Sequence, residues 1–113
     1  MNIADIEDLE GVIVIRIYGS LSVKVINEFD SICEDQIIKK PQIIALDCSN
    51  LDFIDSIAIN HLFRFSHNAK SKDIKLVFYD INPTIKEIFK ITNLDKLLTV
   101  VSKDQFEAEY IEK

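Results

Sequence analysis

The sequence predicts an α/β fold, a single domain in which a mixed, mostly parallel sheet of about five strands packs against about four helices. The chain has 113 residues, 48% of them hydrophobic, which is the length of one domain with one core. Short β-branched runs alternate along it with stretches whose apolar residues recur every three or four positions. Helices that separate strands imply right-handed crossovers and parallel neighbours, in the order β-β-α-β-α-β-α-β-α.

The first residues predict a hairpin. Ile3–Leu9 and the β-branched run Val12–Tyr18 are typical of two strands, and the turn Glu10-Gly11 joins them. The second strand is expected to end at Gly19-Ser20. Because hairpin strands are antiparallel, this pair makes the sheet mixed.

A change of period then predicts the first helix. From Val23 onward the apolar residues recur at spacings of three and four, with acidic residues between them. Ser22 is a candidate N-cap and Pro41 follows the end of the pattern, so we expect a helix over 23–39.

The remaining elements follow the same logic. The unbroken apolar run Ile43–Leu46 predicts an interior strand covered on both faces, whose carboxyl end is where loops carry function. The later elements are expected as follows: a loop through 50–55, a helix over 56–70, a strand Ile74–Tyr79, a helix beginning at Asn82-Pro83, a strand Leu97–Val101 and a helix Asp104–Glu112.

Charge and cysteine content exclude several classes of function. Thirteen Lys and Arg against 19 Asp and Glu give a formal net charge of -6, which disfavours nucleic-acid backbones and anionic membranes as partners. The longest apolar runs, such as Val12–Ile15, are far below the roughly 20 residues that span a bilayer, and the acidic start lacks a signal peptide's pattern. We therefore expect a cytoplasmic protein. Cys33 and Cys48 are predicted to be reduced core thiols, with no metal or cofactor site.

The segment from the interior strand into the second predicted helix contains the candidate functional residues. Asp55 and Ser56 are both good N-cap residues, and one of them should accept a hydrogen bond from the first turn. A hydroxyl at a helix N-terminus is also a place where a phosphate is tolerated, because free amides and the positive end of the helix dipole face it.

These features together resemble the STAS domain of bacterial anti-sigma-factor antagonists, over nearly the whole chain to about Ser102. The motifs that carry the resemblance are Gly19-Ser20-Leu21 as a Gly-x-Leu turn, Leu46-Asp47 at a strand end, Leu51-x-Phe53-Ile54-Asp55-Ser56 before a helix, and Asn82-Pro83 opening a helix that ends in Leu94-Asp95-Lys96. The resemblance implies one STAS-like domain over residues 1–113.

The resemblance also implies a function. In that family a small non-enzymatic antagonist binds a serine-kinase anti-sigma factor and is released when the kinase phosphorylates it. The usual acceptor follows an Asp-Ser pair, and here that position is Ile57. Asp-Ser before a bulky apolar residue is more similar to the stressosome scaffold branch, where the first Ser is the acceptor, so Ser56 is the candidate phosphorylation site and Thr84 a weaker one. An unphosphorylated scaffold or interaction module is the alternative.

Helical periodicity divides the second predicted helix into a core stripe and a partner stripe. The core stripe is expected to contain Ile59, Leu62, Phe63 and Ser66. The residues predicted to contact a partner are Asp52, Asp55, Ser56, Ile57, His61 and Arg64. Ile57 could also be an isolated exposed apolar residue of the kind that surfaces routinely carry.

Two other classes fit the sequence less well. A two-component receiver domain would also have an aspartate where Asp47 lies. It would need an acidic pair after its first strand to hold magnesium, whereas the run Val12–Tyr18 ends in Gly19-Ser20. An enzyme is not expected, because the sequence contains no GxSxG, HExxH or glycine-rich phosphate loop. His61 and His67 lie about 120° apart around a helix. A metal at Asp52 and Asp55 is less expected than a capping role.

Overall fold

The computed structural model describes residues 3–111, and its elements follow the predicted order. The strands are β1 (Ala4–Asp8), β2 (Val12–Leu21), β3 (Ile43–Ile54), β4 (Lys75–Tyr79) and β5 (Thr99–Val101). The helices are α1 (Ile26–Ile38), α2 (Ser56–Ser71), α3 (Pro83–Ile91) and α4 (Lys103–Phe106), with a 3-10 turn at Leu94–Lys96 and a π-helical turn at Glu107–Ile111 after α4.

The strands lie in the sheet in the order β1-β2-β3-β4-β5, with β1 antiparallel to β2 and all other neighbours parallel. Right-handed crossovers between parallel strands in sequential order place their helices on one face. Accordingly Phe29 of α1, Leu62 of α2 and Phe89 of α3 belong to one core and expose 1% or less of their surface. Phe106 of α4 belongs to a smaller cluster on the opposite face. The predicted mixed, mostly parallel sheet is confirmed.

Strands β2 and β3 are longer than the sequence predicts. They pair in parallel as far as Leu21 opposite Ile54, so β2 continues beyond Gly19-Ser20 and most of the expected loop over 50–55 is strand. Gly19 has φ +75° and lies at a register shift, which makes it part of a bulge and not the end of the strand. Pairing with β2 satisfies the polar backbone of the extension, while Leu51 and Ile54 are buried.

Helix boundaries also differ from the prediction. Helix α1 begins at Ile26 because Ser22 forms a turn before it, in which its carbonyl accepts from Val25 N and its hydroxyl accepts from Lys24 N. Helix α3 ends at Ile91, since Asn93 is left-handed with φ 62°, and Leu94–Lys96 is a separate turn. The final helix begins at Lys103 with Ser102 as its cap, and Glu112 lies outside the described residues.

Both cysteines are buried and unpaired, as predicted. Burial raises the pKa of the Cys33 and Cys48 thiols, so both stay protonated at neutral pH. Within residues 3–111, no helix combines the length and the apolar character that crossing a membrane requires.

Candidate functional site

The corner between β3 and α2 is organised by one carboxylate. Asp55 is the N-cap of α2, and its Oδ1 accepts a hydrogen bond from Ala58 N at 2.9 Å. Its Oδ2 accepts a second bond at 3.0 Å from Val23 N, in the loop between β2 and α1. The bonds from Ala58 and Val23 lower the pKa of Asp55, which therefore remains ionised at neutral pH.

Ser56 is the first residue of α2 and is exposed. Sequence reasoning left open whether Asp55 or Ser56 caps the helix, and the structure assigns the cap to Asp55. Among the described residues, none forms a hydrogen bond with the Ser56 hydroxyl. The hydroxyl is therefore accessible and has no structural partner to lose.

The Asn82-Pro83 motif supports the same corner from the next loop. Asn82 Oδ1 caps α3 by accepting from Ile85 N at 2.8 Å. Its amide Nδ2 donates to the carbonyl oxygens of Leu51 and Asp52, at 3.2 and 3.3 Å. One side chain thus ties the start of α3 to the extension of β3, while the Asp52 side chain is exposed.

Three large apolar side chains on different segments are exposed around Asp55. Val23 exposes 61% of its surface, Phe53 47% and Ile57 42%. Val23 lies in the loop whose amide Asp55 binds, and Phe53 and Ile57 flank Asp55 along the chain. The sequence predicts only Ile57 as an exposed residue of this group. Val23 opens the apolar repeat of the predicted helix over 23–39, but α1 begins three residues later, which leaves Val23 in the preceding loop.

His61 and Arg64 lie further along α2, on the side facing α1. His61 Nδ1 is within hydrogen-bond distance of Asp30 Oδ2 on α1, and Arg64 Nη2 lies 3.0 Å from both ring nitrogens. The contact with Asp30 fits an imidazole whose Nδ1–H donates to the carboxylate. His61 is half-buried and held by α1, whereas Arg64 is exposed.

The site residues therefore fall into two groups. Asp52, Asp55, Ser56 and Ile57 lie together at the corner, whereas His61 and Arg64 line a cavity of about 390 Å³ between α1 and α2. On α2 itself Ile59, Leu62 and Ser66 are buried as expected and Phe63 is partly buried. The flanking residues Ala58 and Phe65 are buried as well.

The family model of the STAS domain matches residues 4–106. A search of curated protein sequences returns no significant match.

Solved structures with this fold include anti-sigma factor antagonists. An antagonist from Mycobacterium paratuberculosis is 18% identical with a TM-score of 0.78, and the match covers 86% of this chain and 82% of that one. A Thermotoga maritima protein is 16% identical with a TM-score of 0.87, covering 97% and 95%. The unphosphorylated form of the antagonist SpoIIAA is 16% identical with a TM-score of 0.72, covering 93% of both chains. With the family model matching nearly its whole length, this chain belongs to the STAS domain family.

Proposed function

We propose that this chain is an anti-sigma-factor antagonist that binds a serine-kinase anti-sigma factor and is released by phosphorylation of Ser56. The proposal depends on one observation, namely that Asp55 and Ser56 have different roles at the start of α2. Asp55 caps the helix, while the neighbouring Ser56 hydroxyl is exposed and free of structural bonds among residues 3–111. A kinase can therefore modify Ser56 without removing the cap.

A phosphate on Ser56 would change the charge of the corner strongly. It adds about -1.5 to -2 charges beside the carboxylates of Asp52 and Asp55. If the partner buries this corner, like-charge contact and desolvation cost several kcal/mol, and each 1.4 kcal/mol is about tenfold in Kd. We expect a loss of affinity of about 100-fold or more. The fold should persist, because the positive end of the α2 dipole favours an added anion.

The proposed partner surface combines acidic and apolar groups. Asp52, Asp55, Ser56 and Ile57 form its centre, and the exposed side chains of Val23 and Phe53 extend it. His61 and Arg64 lie on the same helix toward α1, where Arg64 offers an exposed guanidinium. A protein partner with an apolar depression would fit this surface, and such a role would place the chain in the cytoplasm.

One observation favours a second candidate function. Ile57 occupies the position where antagonists usually carry the second hydroxyl, and it exposes 42% of its surface. An exposed isoleucine next to Asp55-Ser56 would serve as a permanent contact in a regulatory assembly, in which the chain acts as an unphosphorylated STAS scaffold or interaction module. The stressosome-type branch is the version of this role that the motif resembles.

Phosphorylation by a kinase encoded in the same genome separates the two functions. The purified protein, incubated with that kinase and ATP, should gain one phosphate by mass, and Ser56→Ala should abolish the gain. Thr84→Ala is the matched control, because Thr84 is an exposed hydroxyl in the first turn of α3, and it should leave phosphorylation unchanged. Binding of the kinase should weaken about 100-fold in the phosphorylated protein.

Two other outcomes would contradict parts of this proposal. Full phosphorylation of Ser56→Ala would assign the acceptor elsewhere. Stable binding of the kinase without phosphorylation would contradict the switch and support the scaffold function.

A further inference from the structure

The carboxyl ends of β4 and β5 form a crevice that the proposed function does not use. After β4 the chain passes to α3, whose Ile85 and Phe89 belong to the core shared with α1 and α2. After β5 it passes to α4, whose Phe106 packs on the opposite face of the sheet. The two connections leave neighbouring parallel strands toward opposite faces. In open α/β sheets this is the point at which ligands bind.

Two adjoining cavities open at this crevice, and one of them continues along α3 to Asp95, in the turn before β5. One has a volume of about 500 Å³ and the other about 320 Å³, and both are lined by Ile81, Lys86 and Val100. The larger is within the size range of small-molecule sites. Its apolar side is formed by Ile81, Phe89 and Val100, which pack against or belong to the main core.

The walls of the crevice are held in place by hydrogen bonds. Asp80, with φ +58°, accepts a bond from Lys103 N through its Oδ1 at 3.0 Å, which fastens the end of β4 to the start of α4. Asn82 fastens the start of α3 to the extension of β3. These bonds fix the two connections that begin at the crevice.

The rim of the larger cavity limits the class of ligand. Lys86 and Lys90 lie one turn apart on α3, and Glu87 and Asp95 line the same cavity. Over residues 3–111 none of these four side chains takes part in an ion pair. A simple anion would meet the two carboxylates, and a simple cation would meet the two lysines. A small molecule with both charges and an apolar body complements all of them.

We propose that the crevice between the ends of β4 and β5 binds a small zwitterion with an apolar body, the simplest class being the apolar α-amino acids. The ligand carboxylate lies toward Lys86 and Lys90, its ammonium toward Glu87 and Asp95, and its side chain against Ile81 and Val100. Because these charges are exposed, each contributes modestly, and the affinity is weak.

The test is a titration of the full chain followed by amide NMR shifts. L-phenylalanine should give saturable shifts at Ile81, Val100 and Ser102. Two analogues of similar shape serve as controls: 3-phenylpropanoate, which lacks the ammonium, and 2-phenylethylamine, which lacks the carboxylate. Each should bind at least about threefold more weakly, the size of effect expected for one exposed charge pair.

Substitutions test the assignment of the charges. Lys86→Gln should weaken binding of L-phenylalanine about threefold to fivefold, whereas Lys72→Gln, at the end of α2, should not. Glu87→Gln should weaken it as well and should improve binding of 3-phenylpropanoate. Absence of saturable shifts, equal binding of the three compounds, or an unchanged Lys86→Gln variant would each overturn the proposal.

Discussion

The two faces of the sheet are covered in different ways. The face toward α1, α2 and α3 is apolar, and its central side chains, such as Phe29, Phe78 and Phe89, are almost completely buried. Pairs of rings meet edge to face there, with centroids 6.4 Å apart for Phe29 and Phe65 and 5.7 Å apart for Phe78 and Phe89. This face is stabilised by apolar area and close packing.

The opposite face has a smaller apolar cluster, which includes Val14, Val77 and Phe106 and is covered by α4 and the π-helical turn after it, and beside this cluster a network of polar side chains. Phe106 stacks on Tyr79 with centroids 4.6 Å apart, and the polar network consists of Arg16, Asp47 and Ser49. Asp47 exposes only 4% of its surface. Its Oδ2 accepts from Arg16 Nε at 3.0 Å, and its Oδ1 accepts from the amide and hydroxyl of Ser49.

The two faces should lose stability for different reasons when a side chain is substituted. An apolar layer loses stability in proportion to the volume removed from it, whereas a buried carboxylate depends on all its partners being present. Burial alone would raise the pKa of Asp47, but the bonds from Ser49 and the Arg16 guanidinium outweigh burial and lower it. The face toward α1, α2 and α3 is therefore sensitive mainly to side-chain size, whereas the opposite face is sensitive to charge as well.

The largest effect is expected on the apolar face. Phe29→Ala should lower the free energy of unfolding by about 3–5 kcal/mol, because the ring is fully buried and leaves a cavity between α1 and α2. Urea denaturation at pH 7 measures it. Ile38→Ala, on the same helix but 74% exposed, should change stability by no more than about 0.5 kcal/mol. A loss below about 1 kcal/mol for Phe29→Ala would contradict the packing account.

A smaller, pH-dependent effect is expected on the polar face. Asp47→Asn should cost about 1–3 kcal/mol at pH 7, because it removes the charge that Arg16 and Ser49 bind. The pKa of Asp47 is lower in the folded chain than the value of about 3.9 for an unfolded one. Its contribution is therefore complete above that value and is lost as the pH falls through the folded pKa.

Urea midpoints measured from pH 7 to pH 3 test this expectation. The difference between the natural protein and Asp47→Asn should shrink as the pH falls. Asp8→Asn, an exposed aspartate on β1, should show no such trend. A difference that stays constant with pH would show that the charge of Asp47 is not what stabilises this face.

The smallest effect is expected for the polar group that caps α2, on the face toward α1, α2 and α3. Asp55→Ala removes the cap of α2 and the bond to Val23 N, so it should lower the thermal midpoint slightly and increase amide exchange at Val23 and Ala58. Ser56→Ala should leave both quantities unchanged, since Asp55 supplies the cap. A larger effect from Ser56→Ala than from Asp55→Ala would reverse the assigned roles.

Much of the fold follows from local patterns in the sequence. The change from β-branched runs to a period of three and four places each strand and helix of the core, because burial of one helical stripe demands that spacing. The extension of β2 and β3 was not predicted. It depends on pairing between Gly19 and Leu51, which are far apart in sequence, and Gly19-Ser20 alone is typical of a turn.

The candidate site was predicted in part. Asp55 and Ser56 both satisfy the local rules for a cap, and only the backbone geometry distinguishes them. The contact of His61 with Asp30 depends on how α1 packs against α2, which no single-helix pattern shows. The crevice between β4 and β5 likewise depends on α4 packing on the face of the sheet opposite α3, which local sequence patterns do not show.

The double hydrogen bond of Asp55 has a mechanical consequence. One carboxylate fastens two segments that are 32 residues apart in sequence, the loop before α1 and the first turn of α2. Any change that removed this carboxylate would break both hydrogen bonds at once. Val23 and Ile57 therefore keep their relative position only while this carboxylate is bound at both oxygens.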